Sequence, residues 1–365
     1  MRSKNLVLIT ALFLMLTALW SGPALAEIKV IETDSSYLMG DNDSKVIGRR
    51  IAVQEAKQKA LELAGTYVES LTVVRNYQLT KDDVKAYTAG VLETEVISEQ
   101  MRGTAERPEM TIKTRCRIDT DVLTAQISRF RENEDLKEQL DATVKENDGL
   151  KKERDALVQQ LATGKSTTQA DETRKKLDAV LAKEESNDET TRIWAAFAPS
   201  LAEGEDNGPN LKRADLEKAA ARLEQTVKVH PQNLRAYCLL AMIYQKMGND
   251  AAAEKQMRTA IEHLPSAPAP HLRLGILLRA RGKHLEAMKE FHFVERMRPR
   301  NLPVVFYSGM TFKDMGKCGK AVQYLNRFLK AKQADLHPKL KELAFAAIEQ
   351  CGGNRPGRQR KVRQS

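Results

Sequence analysis

The residue types that most often carry chemistry are scattered in this sequence and do not form a catalytic or metal-binding motif. The histidines show no HExxH pattern or other metal-ligand spacing, and no serine lies in the GxSxG turn of a hydrolase. We therefore predict a non-enzymatic protein without a metal or cofactor. The six histidines are His230, His263, His271, His284, His292 and His337.

Gly164, Lys165 and Ser166 have the residue types of a phosphate-binding loop. That loop also requires a glycine five residues before Gly164 and a strand leading into it. Position 159 is a glutamine, and the preceding segment has the pattern of a charged helix. The sequence thus predicts a polar linker rather than a nucleotide site. An enzyme with its site in residues 27–128 is an alternative that a pocket of carboxylates or histidines with shifted pKa values would support.

The formal charge of +10 is concentrated at the ends of the chain. Residues 1–26 contain two basic residues and no acidic one, and residues 352–365 contain five and none, which leaves only +3 for the body. This distribution excludes a basic nucleic-acid-binding domain. The tail, 352–365, has too little apolar content to fold, and we expect either a solvated end or a weak contact with an anionic membrane surface. Its basic residues are Arg355, Arg358, Arg360, Lys361 and Arg363.

Residues 1–26 have the pattern of a cleaved export signal. A cationic start precedes the apolar run 6–20, which is shorter than the roughly 20 residues of a spanning helix. Ala24-Leu25-Ala26 provides the small residues of a cleavage site after Ala26. We expect a periplasmic protein in an oxidising compartment, with an uncleaved membrane anchor as the alternative.

Residues 27–128 alternate between short strand and helix signals in the order β-α-β-α-β-β, which predicts a small sheet covered by two helices. The clearest strand is "MTIKTRCRI", in which Met110 and every second residue to Ile118 share one face. The predicted elements after the first strand are a helix over 45–64, a strand over 66–74, a helix over 80–90 and strands over 91–98 and 110–118.

The segments "AVQEAKQKALELAGTYVES", "LTKDDVKAYTAGVLETEVISEQ" and "TIKTRCRID" resemble the N-terminal domain of the flagellar assembly protein T family and the LPP20-type lipoproteins. The resemblance covers about 90 residues and implies an envelope protein-interaction module with a link to the flagellum. A generic α/β spacer domain is the alternative.

Residues 129–162 show a heptad seam, which predicts a coiled-coil helix that needs a partner. Asn147 lies at an a-type position, where a buried amide favours two strands in register. The seam favours a homodimer or higher oligomer, and a lone charged helix is the alternative. The seam consists of Leu136, Leu140, Asn147, Leu150, Leu157 and Leu161, interrupted by Thr143 and Arg154.

The second half of the chain repeats every 34 residues. A glycine suits the left-handed end of a first helix, an alanine allows a second helix to approach it, and a proline ends the second helix. The positions in register are Tyr244, Leu278 and Phe312; Gly248, Gly282 and Gly316; Ala253, Ala287 and Ala321; Ala260, Val294 and Phe328; and Pro231, Pro265 and Pro299.

This pattern resembles the tetratricopeptide repeat (TPR) family, which implies helix pairs stacked into an all-α superhelix. Three full repeats cover about 234–333, and 190–202 with 211–229 suggest an earlier irregular repeat. Residues 337–351 suit a capping helix.

The same resemblance implies a binding site on the concave face, which the first helix of each pair lines. Cationic and apolar side chains interleave there and suit an acidic or amphipathic protein segment, whereas ordinary packing or solvated roles are the alternative for each. The lysine and asparagine set that grips a peptide C-terminus is not present. The candidates are Arg235, Met242, Gln245, Leu272, Arg273, Ile276, Arg279, Phe306, Met310 and Lys313.

Cys318 opens the second helix of the third repeat, and Cys351 closes the capping helix. Both lie about equally far from the turn between these antiparallel helices, so we predict a disulfide that contributes about 3–4 kcal/mol. Cys116 and Cys238 are expected to be free thiols.

We thus expect a multidomain protein with a small α/β domain, a coiled-coil helix and an all-α TPR superhelix. Its expected function is that of an exported, non-enzymatic scaffold for a cell-envelope assembly. The order of coiled coil and repeats also resembles the periplasmic cell-division coordinator of the Tol–Pal system, and a structural ring component is a further alternative. The expected segments are 1–26 (signal), 27–128 (α/β), 129–162 (coiled coil), 163–190 (linker and helix), 191–351 (repeats and cap) and 352–365 (basic tail).

Overall fold

The computed structural model describes residues 28–40, 43–71, 79–91, 94–104, 107–120, 123, 124, 127, 134–163, 167–201, 211–331 and 338–352. The expected signal (1–26), the end of one predicted strand (72–74), the Gly-Lys-Ser segment (164–166) and the basic tail beyond 352 lie outside these ranges. Within the described residues, no helix is long and apolar enough to cross a membrane.

Three antiparallel strands form the N-terminal sheet: β1 (Ile28–Leu38), β2 (Thr94–Thr104) and β3 (Arg107–Asp119), in the order β1-β3-β2. The predicted alternation in β3 is confirmed, because Met110, Ile112, Thr114, Cys116 and Ile118 are all buried. This face packs under α1 (Lys45–Ser70), whose N-terminus is capped by Ser44. The second helix of this region is α2 (Lys81–Val91).

The strand predicted over 66–74 is wrong where the structure describes it. The chain remains helical to Ser70 because Ala60, Ala64 and Val68 continue the buried stripe of α1 at helical spacing. The β-branched and aromatic residues of this stretch favour a strand locally, but tertiary burial outweighs that preference.

Two long helices, α3 (Glu134–Thr163) and α4 (Thr167–Leu201), form an antiparallel hairpin. The heptad leucines Leu150, Leu157 and Leu161 of α3 share an apolar cluster with residues of α4, such as Leu177 and Leu181. The partner of the seam therefore lies in the same chain. Leu140, Leu150, Leu157 and Leu161 are buried and Leu136 is half-buried, so the structure does not leave this seam open for the predicted self-association.

The hairpin also joins the N-terminal domain through ion pairs. Nε of Arg50 in α1 lies 2.7 Å from a carboxylate oxygen of Glu185 in α4, and Nζ of Lys57 lies 2.6 Å from Asp188. The hairpin thus has the α/β domain on one side and contacts the helical array on another.

The array begins with one helix that precedes the regular repeats, continues with three helix pairs and ends with a final helix. The left-handed glycines predicted to end the first helices have φ values of 76°, 74° and 72° at Gly248, Gly282 and Gly316. The helices are α5 (Arg213–Val229), α6 (Leu234–Lys246), α7 (Asp250–His263), α8 (Pro268–Ala280), α9 (His284–Met297), α10 (Leu302–Asp314), α11 (Cys318–Lys330) and α12 (Pro338–Gln350).

Candidate protein-binding site

The first helices of the three regular pairs, α6, α8 and α10, are neighbours in the array: α6 contacts α8, and α8 contacts α10. Each begins after a proline-containing turn. Asn233 caps α6 through a hydrogen bond of 2.8 Å from the Ala236 N–H, and Asn301 caps α10 in the same way from Val304. The equivalent residue before α8 is Ala267, which makes no side-chain cap, so only the first and third of these helices have an asparagine cap.

The predicted binding residues differ in their exposure, and three of them are unavailable to a partner. Arg235, Leu272 and Phe306 are 2%, 1% and 2% exposed. Leu272 and Phe306 belong to the apolar core of the array. The structure therefore supports a packing role for Leu272 and Phe306, since apolar residues between adjacent helices stabilise the stack.

Arg235 is buried beneath the hairpin. Its guanidinium carbon lies 5.1 Å from the centre of the Trp194 ring, and Nη1 donates a hydrogen bond of 3.3 Å to Oγ1 of Thr191. Burial lowers the pKa of Arg235 to about 9. Trp194 and Thr191 both belong to α4. Arg235 therefore contacts the hairpin and is not available at the surface.

The helix α3 lies across the first two of these helices, because it contacts both α6 and α8. Its residues Leu136, Leu140 and Val144 belong to the large apolar cluster that extends through the array. The chain thus packs one of its own helices against two of the helices that the sequence predicted to line the binding face.

A polar junction fixes this arrangement. Oε1 of Glu146 in α3 lies 2.7 Å from Nε2 of His230, which precedes α6 and is 2% exposed. Asn187 in α4 accepts a hydrogen bond of 2.8 Å from Asn233 and donates one of 2.6 Å to Asn147. The sequence indicated that the amide of Asn147 needs a partner, but it did not reveal the other four residues, since no spacing connects them.

The remaining candidates lie further along the array and are accessible to different degrees. Gln245 is exposed, Met310 is 9% exposed, and Met242, Arg273, Ile276, Arg279 and Lys313 are half-buried. Nε of Arg279 in α8 forms an ion pair of 2.8 Å with Asp314 at the end of α10. Ile276 and Lys313, which are half-buried, and Met310, of which only 9% is exposed, form the part of the predicted face that we call the open groove, with Arg279 at its edge.

Comparison with protein families identifies the repeat. Residues 210–274, which span α5 to the first half of α8, match the family model of the tetratricopeptide repeat. This segment matches the tetratricopeptide repeat. The pairs α8–α9 and α10–α11 continue its 34-residue register, so the helical array, which resembles a TPR array throughout, extends to α11.

Solved structures with related helical arrays include "MamA AMB-1 P212121", with 16% identity over 52% of this chain and 98% of that chain and a TM-score of 0.32. A tetratricopeptide repeat protein from Parabacteroides merdae ATCC 43184 has 16% identity over 55% of this chain and 78% of that chain, with a TM-score of 0.31. These scores are too low to support an inference about function. No curated protein sequence matches this chain.

The cysteines are arranged as the sequence suggested. Cys318 and Cys351 form a disulfide with a Cα–Cα distance of 5.2 Å, which joins the start of α11 to the end of α12. Cys116 and Cys238 are buried free thiols, and burial raises the pKa of Cys116 to about 11. Among the described residues, no group of three histidine, cysteine or carboxylate side chains could hold a metal ion.

Proposed function

We propose that the protein is an exported, periplasmic scaffold whose TPR array binds an acidic or amphipathic protein segment in the open groove. The observation that carries this proposal is the open groove itself: Ile276 and Lys313 remain partly exposed on the neighbouring first helices α8 and α10, while α3 contacts α6 and α8. Tetratricopeptide repeats generally mediate protein–protein interactions, which supports a binding role for this face.

The chemistry of the partner follows from charge and apolarity. Between residues 211 and 351 the array contains 25 lysines and arginines and 13 aspartates and glutamates, a formal charge of +12. The small net charge of the body therefore hides a basic array, because residues 27–210 carry a formal charge of −9. An acidic partner is therefore attracted at long range, which raises its association rate. Ile276 provides most of the apolar contact that such a partner needs for a stable complex, because only 9% of Met310 is exposed.

Two features support a location in the periplasm. The first 26 residues have the pattern of a cleaved export signal. The disulfide between Cys318 and Cys351 suits an oxidising compartment. We propose a cell-envelope assembly as the destination, and a flagellar or a cell-division assembly are the two alternatives that the resemblances in the sequence raise.

The proposal is tested by photo-crosslinking in intact cells. A photo-reactive residue at Ile276 or Met310 should capture one partner, whereas the same residue at Lys289, exposed on the second helix α9, should not. Lys313→Glu should abolish capture, because it reverses the charge beside the groove without breaking the Arg279–Asp314 ion pair. Equal capture at Lys289, or capture that survives Lys313→Glu, would reject the groove as the binding site. The identity of the captured protein distinguishes the two assemblies.

A further inference from the structure

One edge of the N-terminal sheet has no strand beside it in the described part of the chain. The strand order β1-β3-β2 places β1 at this edge, where it pairs with β3 and packs chiefly under α1. The pairing is regular over all 11 residues of β1, from Ile28 opposite Asp119 to Leu38 opposite Glu109. The side of β1 that faces away from β3, which we call the β1 edge, is therefore long and unbroken.

The register shows which backbone groups lie on the β1 edge. The Met39 N–H donates a hydrogen bond of 2.9 Å to the Pro108 carbonyl, which continues the register by one residue. Because hydrogen-bonded and non-hydrogen-bonded pairs alternate in an antiparallel ladder, the odd-numbered residues of β1 bond β3. The even-numbered residues direct their N–H and C=O groups to the β1 edge. These residues are Ile28, Val30, Glu32, Asp34, Ser36 and Leu38, and all six are exposed.

The helix α1 reaches one of these backbone groups. Nζ of Lys59 donates a hydrogen bond of 3.1 Å to the Asp34 carbonyl. Among the described residues, no other hydrogen bond meets the N–H and C=O groups of the β1 edge. Leu63 lies one turn after Lys59 on the same face of α1 and is 48% exposed. The β1 edge thus combines unpaired backbone groups with an exposed apolar side chain of α1.

The opposite edge of the sheet is protected against the addition of a strand. In β2 the register shifts between Val96 and Ser98, and Gly103 has a φ of 86°. Such irregularities are among the means by which proteins prevent strand addition at an edge. The strand β1 has no register shift, glycine or proline, and its lysine, Lys29, lies at one end with Nζ 5.5 Å from the centre of the Tyr67 ring. The backbone of the β1 edge is therefore suited to pairing.

Both ends of the β1 edge are apolar. Ile28, Val30 and Leu38 are 60%, 47% and 59% exposed, and they share the face of the sheet that is turned away from α1. Apolar side chains that lie directly opposite each other on adjacent strands stabilise the pair. A strand with apolar residues opposite these three positions is therefore favoured.

The centre of the β1 edge is acidic. Glu32 pairs with Lys113 and Arg115 of β3 at 2.6 and 2.8 Å, whereas Asp34 forms no ion pair with a described residue. Since opposite charges on directly opposed residues stabilise a strand pair, a basic residue of an added strand suits Asp34. A second copy of β1, paired over the whole strand about Thr33, would instead place Glu32 opposite Asp34, and these like charges repel.

We propose that the β1 edge binds an extended segment of another protein, which adds to the sheet as an antiparallel fourth strand with apolar ends and a basic centre. In this mode of recognition, main-chain hydrogen bonds provide the affinity and the alternating side chains provide the specificity. The β1 edge shares no residue with the open groove of α8 and α10, so either site could fail alone.

The test is hydrogen exchange of the full chain with a synthetic peptide as the probe. The peptide has 11 residues, like β1, with valine opposite Ile28, Val30 and Leu38 and lysine opposite Asp34. Its binding should slow the exchange of the even-numbered N–H groups of β1 at least about tenfold. The odd-numbered N–H groups, which already bond β3, should be unaffected. No protection at about 1 mM peptide, or equal protection of both sets, would overturn the proposal.

A proline in each edge strand provides a matched pair of variants. Val30→Pro removes a donor from the β1 edge without removing a hydrogen bond to β3, and it should weaken peptide binding about tenfold. Met101→Pro is the control on β2. Met101 is opposite Met110, whose own N–H and C=O point to β1, so the Met101 N–H lies on the outer side of β2. This variant should change binding less than about twofold, and equal losses in the two variants would refute strand addition at β1.

A charge exchange distinguishes pairing with β1 from general attraction. Asp34→Lys should weaken binding of the lysine peptide about fivefold and should strengthen binding of a matched peptide with glutamate at that position. If both peptides respond in the same direction, or neither responds, the proposal is wrong. Protection of the even-numbered N–H groups without peptide, together with a dimer in sedimentation, would assign the β1 edge to a second copy and would also overturn the proposal.

Discussion

Asn187 accepts a hydrogen bond of 2.8 Å from Nδ2 of Asn233 through its own Oδ1, and its Nδ2 donates one of 2.6 Å to Oδ1 of Asn147. One amide thus connects both helices of the hairpin to the first pair of the TPR array. Asn187 is 3% exposed and Asn233 is 4% exposed. Hydrogen bonds at this depth specify a unique arrangement, because each lost partner leaves a desolvated polar atom.

Removing this amide should therefore destabilise the protein strongly. Asn187→Ala leaves Asn147 and Asn233 each without one hydrogen bond, and we expect a loss of about 2–4 kcal/mol in the free energy of unfolding. Urea denaturation followed by circular dichroism measures it. Gln323→Ala on the exposed face of α11 is the control and should change stability by less than about 0.5 kcal/mol. Similar midpoints for both variants would show that the junction is not needed for stability.

The hairpin also contains a carboxyl group that titrates near neutral pH. Nη1 of Arg154 donates a hydrogen bond of 2.9 Å to Glu184, and both side chains are buried. Burial raises the pKa of Glu184 to about 7 from 4.5, and Arg154 opposes that shift. Because the folded state binds the proton more tightly than the unfolded state, this group stabilises the fold least above about pH 7.

We expect the free energy of unfolding to fall between about pH 4.5 and pH 7 by at most about 3 kcal/mol from this group. Glu184→Gln should reduce the difference in stability between pH 5 and pH 8, since the amide cannot ionise. Glu153→Gln, an exposed change on α3, should leave that difference unaltered. Urea midpoints at the two pH values provide the measurement, and the same pH difference in all three proteins would contradict the assignment.

The sequence predicts features that depend on neighbouring residues better than contacts between distant segments of the chain. The 34-residue period fixed the register of the array because glycine, alanine and proline have local conformational roles, and Gly248 and its equivalents adopt the expected left-handed φ. The heptad seam of α3 showed that a partner helix was needed. It could not show that the partner was α4, because a seam has the same pattern for a helix of the same chain and for one of another.

The junction between hairpin and array was beyond sequence reasoning for a related reason. Glu146 and His230 meet at 2.7 Å across 84 positions, and neither lies in a periodic pattern that links them. The candidates Arg235 and Leu272 were assigned to the concave face from their helical spacing, which predicts only the side of a helix, and both are buried. Spacing does not reveal what else packs on that side.

The contact between α8 and α9 leads to a prediction about packing. A Cβ atom at Gly275 would lie 2.4 Å from Cε1 of Phe291, which is fully buried, so Gly275→Ala should cost about 1–3 kcal/mol. At the equivalent positions of the first pair the chain has Ala241 and Met257. We therefore expect Gly275→Ala with Phe291→Met to recover part of the loss, because methionine adapts to irregular space.

Gly319→Ala is the matched control for this change. A Cβ atom at Gly319 would meet nothing within 4 Å, and the residue lies in α11. Alanine there should be neutral or should stabilise the helix by up to about 1 kcal/mol. A double-mutant cycle measured by thermal or urea unfolding gives the coupling of Gly275 and Phe291, and additive effects of the two changes would refute the close contact.

The disulfide between Cys318 and Cys351 should hold the last helix in place. The two residues are 33 positions apart, and closing a loop of this length stabilises a protein by about 4 kcal/mol through the entropy of the unfolded chain. The double change Cys318→Ser and Cys351→Ser should therefore lower the unfolding midpoint, and α12 should lose protection from hydrogen exchange before α8.

Reductant should lower the wild-type midpoint to that of the double variant and leave the variant itself unchanged. In the untreated native protein, the linked peptides should weigh two hydrogens less than the reduced pair, and ready alkylation of both cysteines would show that the bond does not form.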